Sequence, residues 1–562
     1  MLSLLNKTTF SVPVAALILA TAALTSRVLG LVRDRIFAGT FGAGEELDVY
    51  FAAFRAPDLI YSIVIGGAIS SAFIPVFISH LNRDKREAWE VVRSFFYVAA
   101  IGLFAIGLLA YIFMPQIIPF IAPGFSASAR TLAVTMSRIM LLSSIFLGLS
   151  AVFAGVLQSF RKFFIYSLAP IFYNLGIILG ALFFVDYVGI IGLAWGVALG
   201  AFLHMLVQVP ITVSSGFNFM IPRRFFHPAV FRILKLMVPR TAGLAAFQIN
   251  LWVITAIAST LAAGSVSVFN LANNIQYIPI GIVGISFATA AFPALADHIS
   301  SGDYKKYLVE FSRNIRHVLF LVMPISVLFF VLRAQIVRIV LGTGEFDFED
   351  TRLTAAALGA FSFGIFAYAL SPIISRAFYA KENTLTPVVA HVAGIVLNIT
   401  LSVLFIFVIF PRNGFQEFLA SFFKVDDLDS STVIGLPVAF AISGVFSLII
   451  LLVSFFRERR NRVIAKEIFN AFLRVGLLSM AVGFGAWMIL RGVEPYVATD
   501  TFVGIFMQAL IAALGAMAAY VAVAYILRFP ELYSLLSFIS RRTGGRKLPK
   551  SAPVHPEGTN GF

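Results

Sequence analysis

Cysteine is absent from the 562 residues, and charged residues make up only 12% of them. The first absence excludes disulfides, thiolate metal sites and cysteine nucleophiles together. The second excludes an ordinary water-soluble domain, in which about 25% of residues are charged and about 45–50% apolar; here 60% are hydrophobic, and 60 residues are phenylalanine. Acidic residues are the scarcer charge, 27 Asp and Glu against 42 Lys and Arg, for a net charge of +15. The basic excess sits in short segments between apolar runs, the pattern of loops that set membrane topology rather than of a nucleic-acid surface. The seven histidines are scattered. No G-x-x-x-x-G-K-[ST], H-E-x-x-H or G-x-S-x-G motif is found, nor paired carboxylates at catalytic spacing, so nothing points to an enzyme or to ATP as the power source.

What is there is a train of apolar runs, each long enough for the about 20 residues that cross a bilayer as a helix. Runs bounded by charged or Pro/Gly-rich breaks predict an all-α integral membrane protein with fourteen spans, at about 10–32, 48–79, 92–113, 131–157, 164–184, 188–213, 231–260, 266–296, 313–340, 353–379, 385–410, 432–456, 468–490 and 500–527. The stretch Phe10–Thr25 has the length of a signal peptide, but it runs on into Arg27, Arg33 and Asp34 and reads as the first span. Loops after even-numbered spans are basic: NRDKRE (82–87), RK (161–162), RR (223–224), DYKK (303–306), KE (381–382) and RERRNR (457–462), with a basic tail beyond residue 540. Loops after odd-numbered spans hold few basic residues, and the acidic EFDFED (345–350) and DDLD (426–429) fall there. The positive-inside rule then places both termini of this multi-pass protein in the cytoplasm.

The two halves echo each other. SAFIPVF (71–77) in span 2 is matched by TAAFPAL (289–295) in span 8 at an offset of 218, and FYNLGII (172–178) in span 5 by VLNITLS (396–402) in span 11 at an offset of 224. Apolar helices resemble one another by composition alone, which is the competing account. As a repeat, the pattern predicts an N-lobe of spans 1–6 (1–220), a C-lobe of spans 7–12 (221–456), spans 13–14 (457–530) and a basic cytoplasmic tail (531–562). Pro57 with Gly66 and Gly67, echoed by Pro279 with Gly281 and Gly284, would let the inner helices bend.

Charge inside an apolar span is expensive unless it faces a cavity or a partner. SRVLGLVRDRIFAGTFGAGEELDVYFAAFRAPDLI (26–60) concentrates such charge: Arg27, Arg33, Asp34, Arg35, Asp48, Arg55 and Asp58. Arg27 and Asp34 are seven residues apart and share a helical face. Fixed guanidiniums suit a diphosphate because each presents a planar fork of donors to phosphate oxygens. The alternative is that Arg33 and Arg35 snorkel to the interface while Asp34 pairs locally. Asp48 can close onto Arg27 or Arg33, and Arg55 with Asp58 can form a local pair around Pro57. The second half is polar but nearly uncharged, with Gln248, Asn250, Asn270, Asn273, Asn274 and Gln276; these amides either line a cavity or join helices. Asn250, Asn398 and Thr400 are sparse candidates for a small cation.

These residues resemble the MviN/MurJ family of lipid II flippases, within the multidrug/oligosaccharidyl-lipid/polysaccharide exporter superfamily. SRVLGLVRD (26–34), FGAG (41–44), D-x-x-x-x-A-F-x-x-P (48–57), SSAFIPVF (70–77) and GSVSVFNLANNIQYIPIGIVGISFATAAFPAL (264–295) carry the resemblance, which runs along essentially the whole chain. It implies alternating access, a cationic central cavity and a lipid-tail groove on the last two spans. It assigns substrate-binding roles to Arg27, Arg33, Asp34 and Asp48, with Arg55 opening the next stretch. The family's span 2 arginine falls on Tyr61, its A-E-G-A glutamate on Gly66, and its span 8 aspartate and arginine on Asn273 and Asn274. Arg138, Arg240 or Arg376 would have to replace the missing cations, or the lipid carrier differs. The expected substrate is undecaprenyl-pyrophosphate-linked peptidoglycan precursor, with membrane lipids and cell-wall synthesis proteins as partners and no nucleic acid. No cofactor is expected beyond coupling to membrane potential or a monovalent cation. Rival readings are a flippase for another polyprenyl-linked saccharide and a non-transporting membrane scaffold.

Overall fold

The computed structural model describes residues 12–64, 72–410, 414–497 and 501–542. Gly66, Gly67 and the tail beyond residue 542 lie outside the described residues, as does the side chain of Arg240. In chain order the long helices are α1 (Val12–Phe41), α2 (Glu45–Val64), α3 (Lys85–Ile121), α4 (Ala127–Ser159), α5 (Phe163–Val188), α6 (Ile191–Ser214), α7 (Pro228–Ser259), α8 (Ser265–Ser300), α9 (Tyr304–Val331), α10 (Phe348–Ala380), α11 (Leu385–Ile409), α12 (Ser430–Arg457), α13 (Arg459–Tyr496) and α14 (Phe502–Ile526). Eleven helices among the described residues are long and apolar enough to cross a membrane, α3 to α6 and α8 to α14. Three of the fourteen expected are not among them: α2 carries Asp48, Arg55 and Asp58, while α1 and α7 each include side chains outside the described residues, the described apolar part of α7 being Ala245–Ser259.

Polar residues set the helix starts. Ser126 caps α4 by accepting from the Ala129 N–H (3.2 Å), Asp303 caps α9 through the Lys306 N–H (3.0 Å), and Thr501 caps α14 through the Gly504 N–H (3.1 Å). Prolines inside helices are tolerated where a neighbour takes the freed carbonyl. Pro57 has no N–H, so the Ala53 carbonyl one turn back loses its helical donor, and the buried Ser137 hydroxyl of α4 donates to it at 2.9 Å. Ser144 donates to the Pro57 carbonyl itself at 2.7 Å. Pro279 is followed by a π-helical segment, Ile280–Ile285, which interrupts α8 where the sequence predicts a bend.

The chain divides into two compact units. One comprises Met1–Leu271, Val340–Thr354 and Ile395–Leu436, the other Ala272–Ile339, Ala355–Gly394 and Pro437–Phe562. In the first, α4 packs against α2, α3 and α6, and α1 lies along α5. A buried aromatic cluster of Phe73, Phe77, Phe95, Phe96, Phe153 and Phe217 accounts for part of the phenylalanine abundance. In the second, α9, α13 and α14 share a core in which the Tyr520 hydroxyl donates to the Phe320 carbonyl at 2.8 Å.

Helices α5 and α6 approach through glycines spaced four apart. A Cβ on Gly180 would sit 2.3 Å from the Gly196 Cα, and one on Gly200 2.4 Å from the Tyr173 carbonyl oxygen. Gly180→Leu is therefore expected to drive the two backbones apart at about 1–3 kcal/mol or more. The check is the thermal midpoint of the purified protein, which falls in Gly180→Leu and is retained in Gly30→Ala, where an added Cβ meets nothing within 4 Å.

Candidate functional site

The charges of α1 and α2 fold into two separate polar clusters, both within the first unit. In the inner one, Arg33 donates from Nε (3.0 Å) and Nη2 (2.8 Å) to one carboxylate oxygen of Asp34. Its Nη1 donates to Oδ1 of Asn174 on α5 at 3.3 Å, and its guanidinium lies 5.9 Å from the centre of the Phe37 ring. Asp34 is 3% exposed. Asn174 is held in turn by donating to the Ser26 hydroxyl (3.2 Å) and the Pro170 carbonyl (3.0 Å), the latter on its own helix. Arg33 is thus held from two sides, by the local pair with Asp34 that the alternative reading expects and by Asn174 of α5, which takes one arm of its fork. Arg27 is half-buried on the same helix.

The second cluster lies where α1 meets α2. Asp48, 3% exposed, accepts from the N–H groups of Gly264 (2.8 Å) and Ser267 (2.7 Å) and from the Ser267 hydroxyl (2.6 Å). It therefore caps α8, whose first turn has N–H groups without helical partners. This corrects the expectation that Asp48 pairs with Arg27 or Arg33: its carboxylate is fully engaged by α8. Beside it, the Ala43 N–H donates to Asp350 (2.8 Å), and the Glu345 N–H to the Gly39 carbonyl (2.9 Å). Only glycine fits two of these approaches. Gly264 (φ +90) would bring a Cβ within 1.8 Å of the Ala43 carbonyl oxygen, and Gly344 (φ +58) within 2.0 Å of that of Gly39. A cavity of about 380 Å³ remains among Ala43, Gly264, Ser265, Asp347, Glu349 and Asp350.

Arg55 is buried and donates to Thr255 of α7 (2.9 Å) and Asn270 of α8 (2.6 Å), while Trp252 donates to its carbonyl (3.0 Å). Arg55 joins α2 to α7 and α8 through these neutral groups, and Asp58 acts on it through charge rather than through a hydrogen-bonded ion pair. Tyr61 is half-buried against the aromatic cluster of the first unit. Asn273 and Asn274 belong to the second unit, where Asn273 accepts from Gln276 at 2.9 Å. Arg138 donates to the Tyr111 carbonyl (3.0 Å) and sits over that ring, and Arg376 lies over Phe292, 5.1 Å from its centre.

The expected cation set does not converge. Asn398 donates to Asn250 at 2.9 Å, whereas Thr400 is exposed and bonds the Val396 carbonyl one turn back. Among the described residues no group of three or more His, Cys, Asp or Glu can hold a metal ion. Asn398→Leu, which strips Asn250 of its donor, is expected to lower stability by about 0.5–2 kcal/mol, measured as the thermal midpoint in detergent, with the sodium dependence of that midpoint the same in both forms.

Sequence reasoning passed over Asn174, Thr255, Ser267 and Asp350. One signal did point to Asn174: the matched segments FYNLGII and VLNITLS align Asn174 with Asn398. Each asparagine is buried and bonded to a polar residue of the first helix of its half, Arg33 or Asn250. The π-helical segments Gly180–Phe184 and Leu404–Ile409 begin at that same spacing in α5 and α11. A buried asparagine and a π-helical segment thus both stand at the offset of 224 residues.

Residues 37–510 match the family described as lipid II flippase MurJ. The probable lipid II flippase MurJ of Buchnera aphidicola subsp. Schizaphis graminum is 34% identical over 65% of this chain and 72% of its own. The lipid II flippase MurJ of Burkholderia cenocepacia is 30% identical over 65% and 72%. The chain belongs to the lipid II flippase MurJ family. A solved structure of a MurJ lipid II flippase in an inward closed conformation superposes with a TM-score of 0.72 at 26% identity, covering 91% of this chain and 99% of that one. An inward-facing multidrug transporter of the MATE family and MOP superfamily shares the fold, with a TM-score of 0.64 at 15% identity over 78% and 96%. This MurJ-family chain is an all-α, multi-pass protein of the cytoplasmic membrane, of a transport rather than a catalytic class. The family match includes Asp48, Arg55, Asn174 and Asn398, while Arg27, Arg33 and Asp34 lie ahead of it.

Proposed function

We propose that this protein moves lipid II, the undecaprenyl-pyrophosphate-linked peptidoglycan precursor, from the inner to the outer leaflet by alternating access. The observation that carries the reading is the buried Arg33–Asp34–Asn174 cluster in a chain of the lipid II flippase family. A guanidinium held on two sides keeps an oriented donor face for phosphate at little cost in side-chain entropy. Arg27 and Arg33 engage the diphosphate, Asp34 orients Arg33, and the amides Asn273 and Asn274 with Tyr61 meet the headgroup. The chain crosses the membrane fourteen times with both termini cytoplasmic, as two six-helix lobes (1–220 and 221–456) plus spans 13 and 14 (457–530), which guide the lipid tail.

In that topology the junction of α1 and α2 faces outward. The hydrogen bonds of Asp48 with α8 and of Ala43 with Asp350 hold the outer end shut while substrate enters from the cytoplasm. Opening breaks them in favour of contacts to substrate. No step is covalent: the protein supplies polar partners to a headgroup that otherwise faces hydrocarbon. Membrane potential drives the cycle through the charges of α1, at about 2.3 kcal/mol per elementary charge per 100 mV if the full field is crossed. The neutral Tyr61 and Asn274 at positions where the family carries arginine favour a second reading, a polyprenyl-linked saccharide with a less anionic headgroup.

Expression in bacteria depleted of their own lipid II flippase tests the proposal. Restored growth, with lipid II accessible at the outer leaflet, is the expected result. Lipid II retained inside despite correct membrane insertion rejects lipid II as the substrate in favour of another carrier lipid.

A further inference from the structure

The second unit holds a cavity of about 420 Å³ whose polar groups have no part in the reading above, lined by Gln335, Arg338, Leu490, Arg491, Glu494 and Gln508. It sits where the short helix Arg333–Val340 after α9 meets the end of α13 and the start of α14. By the alternation of basic loops these are outer ends, where arginine is scarce, yet Arg333, Arg338 and Arg491 all fall there. The amide of Gln508 is fixed by donating to the Leu490 carbonyl at 3.3 Å. The guanidinium of Arg491 lies 5.2 Å from the centre of the Trp487 ring. Tryptophan prefers the headgroup level of a bilayer, which puts this arginine at the depth of lipid phosphates. On the same two helices, Phe484, Trp487 and Met488 of α13 and Phe506 and Met507 of α14, within two turns of the lining residues in sequence, are exposed and apolar.

Two guanidiniums with amide donors at phosphate depth, flanked by apolar helix faces, match an amphiphile with an anionic head. Glu494 in the same cavity disfavours a ligand that is anionic throughout and accepts hydrogen bonds from hydroxyls. We infer that this cavity is an outer-leaflet binding site for the phosphate of a lipid with a hydroxylated headgroup. Phosphatidylglycerol and a polyprenyl-diphosphate saccharide both present that chemistry. The site is distinct from the Arg33 cluster, and binding here does not require the chain to be a flippase.

Native mass spectrometry of the full-length protein in detergent, titrated separately with phosphatidylglycerol, lipid II and phosphatidylcholine, tests the assignment. Removing charge-assisted hydrogen bonds, at about 1.5–3 kcal/mol each, gives a loss of roughly tenfold or more in affinity. The Arg338→Gln/Arg491→Gln variant is expected to show that loss for at least one of the first two lipids, with Arg83→Gln as a surface control. Gln335→Glu, which keeps both arginines and adds a negative charge, is expected to weaken the same lipid and so separates binding from misfolding. Loss confined to lipid II assigns the site to the transported lipid, and loss confined to phosphatidylglycerol to the bulk membrane; either supports a phosphate site. Unchanged affinity for both in the two variants overturns it, as does equal loss for phosphatidylcholine.

Discussion

Arg33→Ala is expected to reduce lipid II at the outer leaflet to the level of cells without a flippase. The side chain makes two bonds to Asp34 and one to Asn174, and the variant removes them with the donors proposed to face the diphosphate. Losing two charge-assisted hydrogen bonds to substrate, at about 1.5–3 kcal/mol each, corresponds to roughly 10²–10⁴ in rate if they form in the rate-limiting state. Arg33→Ala alone also strands the buried Asp34 carboxylate, a fault that costs about 3–5 kcal/mol in stability on its own. Arg33→Ala combined with Asp34→Asn removes both charges and separates the two effects: folding is restored, transport is not. Arg33→Lys keeps the charge but not the fork, and a single ammonium cannot reproduce the geometry that engages Asp34 and Asn174 together. Its transport is expected to fall as well, measured as outer-leaflet lipid II per inserted protein.

Asp48→Ala has the second largest expected effect, and it acts on conformation. Three donors, two backbone and one hydroxyl, converge on this buried carboxylate, and each one left unsatisfied costs about 1–3 kcal/mol. Those donors regain partners in water if the junction opens, so the substitution favours the open form. A shift of about 3 kcal/mol is roughly 100-fold in population. The absence of native cysteine makes the readout clean: a single Ser265→Cys, at a buried position lining the outer cavity, reports solvent access by its rate of thiol labelling. Labelling is expected to be slow in the otherwise intact chain and faster by one to two orders of magnitude, roughly, when Asp48→Ala is added. Equal rates would mean that Asp48 serves only the capping of α8.

Membrane class, helical content and the concentration of charge on α1 and α2 were legible in the sequence because they depend on composition and local spacing. Partners were not. Asp48 read as a companion of Arg27 or Arg33 because those charges are near in sequence, but the unpaired N–H groups at the start of α8, more than 200 residues on, bind it instead. Arg55 and Asp58 read as a pair for the same reason; their charges do act on each other, but Thr255 and Asn270 take the guanidinium's hydrogen bonds. Local spacing carries no information on which distant helix end arrives. Asn174 is one polar residue in an apolar run, and only its register with Asn398 marked it. Helix α2 continues through Pro57 with the hydroxyl of Ser137 on α4 taking the Ala53 carbonyl that the proline leaves without a donor, a rescue that depends on which face of α4 packs there. Arg138, a candidate replacement for missing cavity charge, is bound to the Tyr111 carbonyl. Only the packing of α3 against α4 decides that.

The central claim is that the Arg33 cluster handles the diphosphate of lipid II, and its most direct test is transport by purified protein. Proteoliposomes loaded with fluorescent lipid II, with an imposed membrane potential, report the rate at which lipid in the inner leaflet becomes accessible outside. The account predicts rapid transfer by the intact chain and the rate of protein-free vesicles for Arg33→Ala/Asp34→Asn reconstituted to the same density. Transfer at the intact rate by that double variant would contradict it, and would move the diphosphate-binding role away from α1.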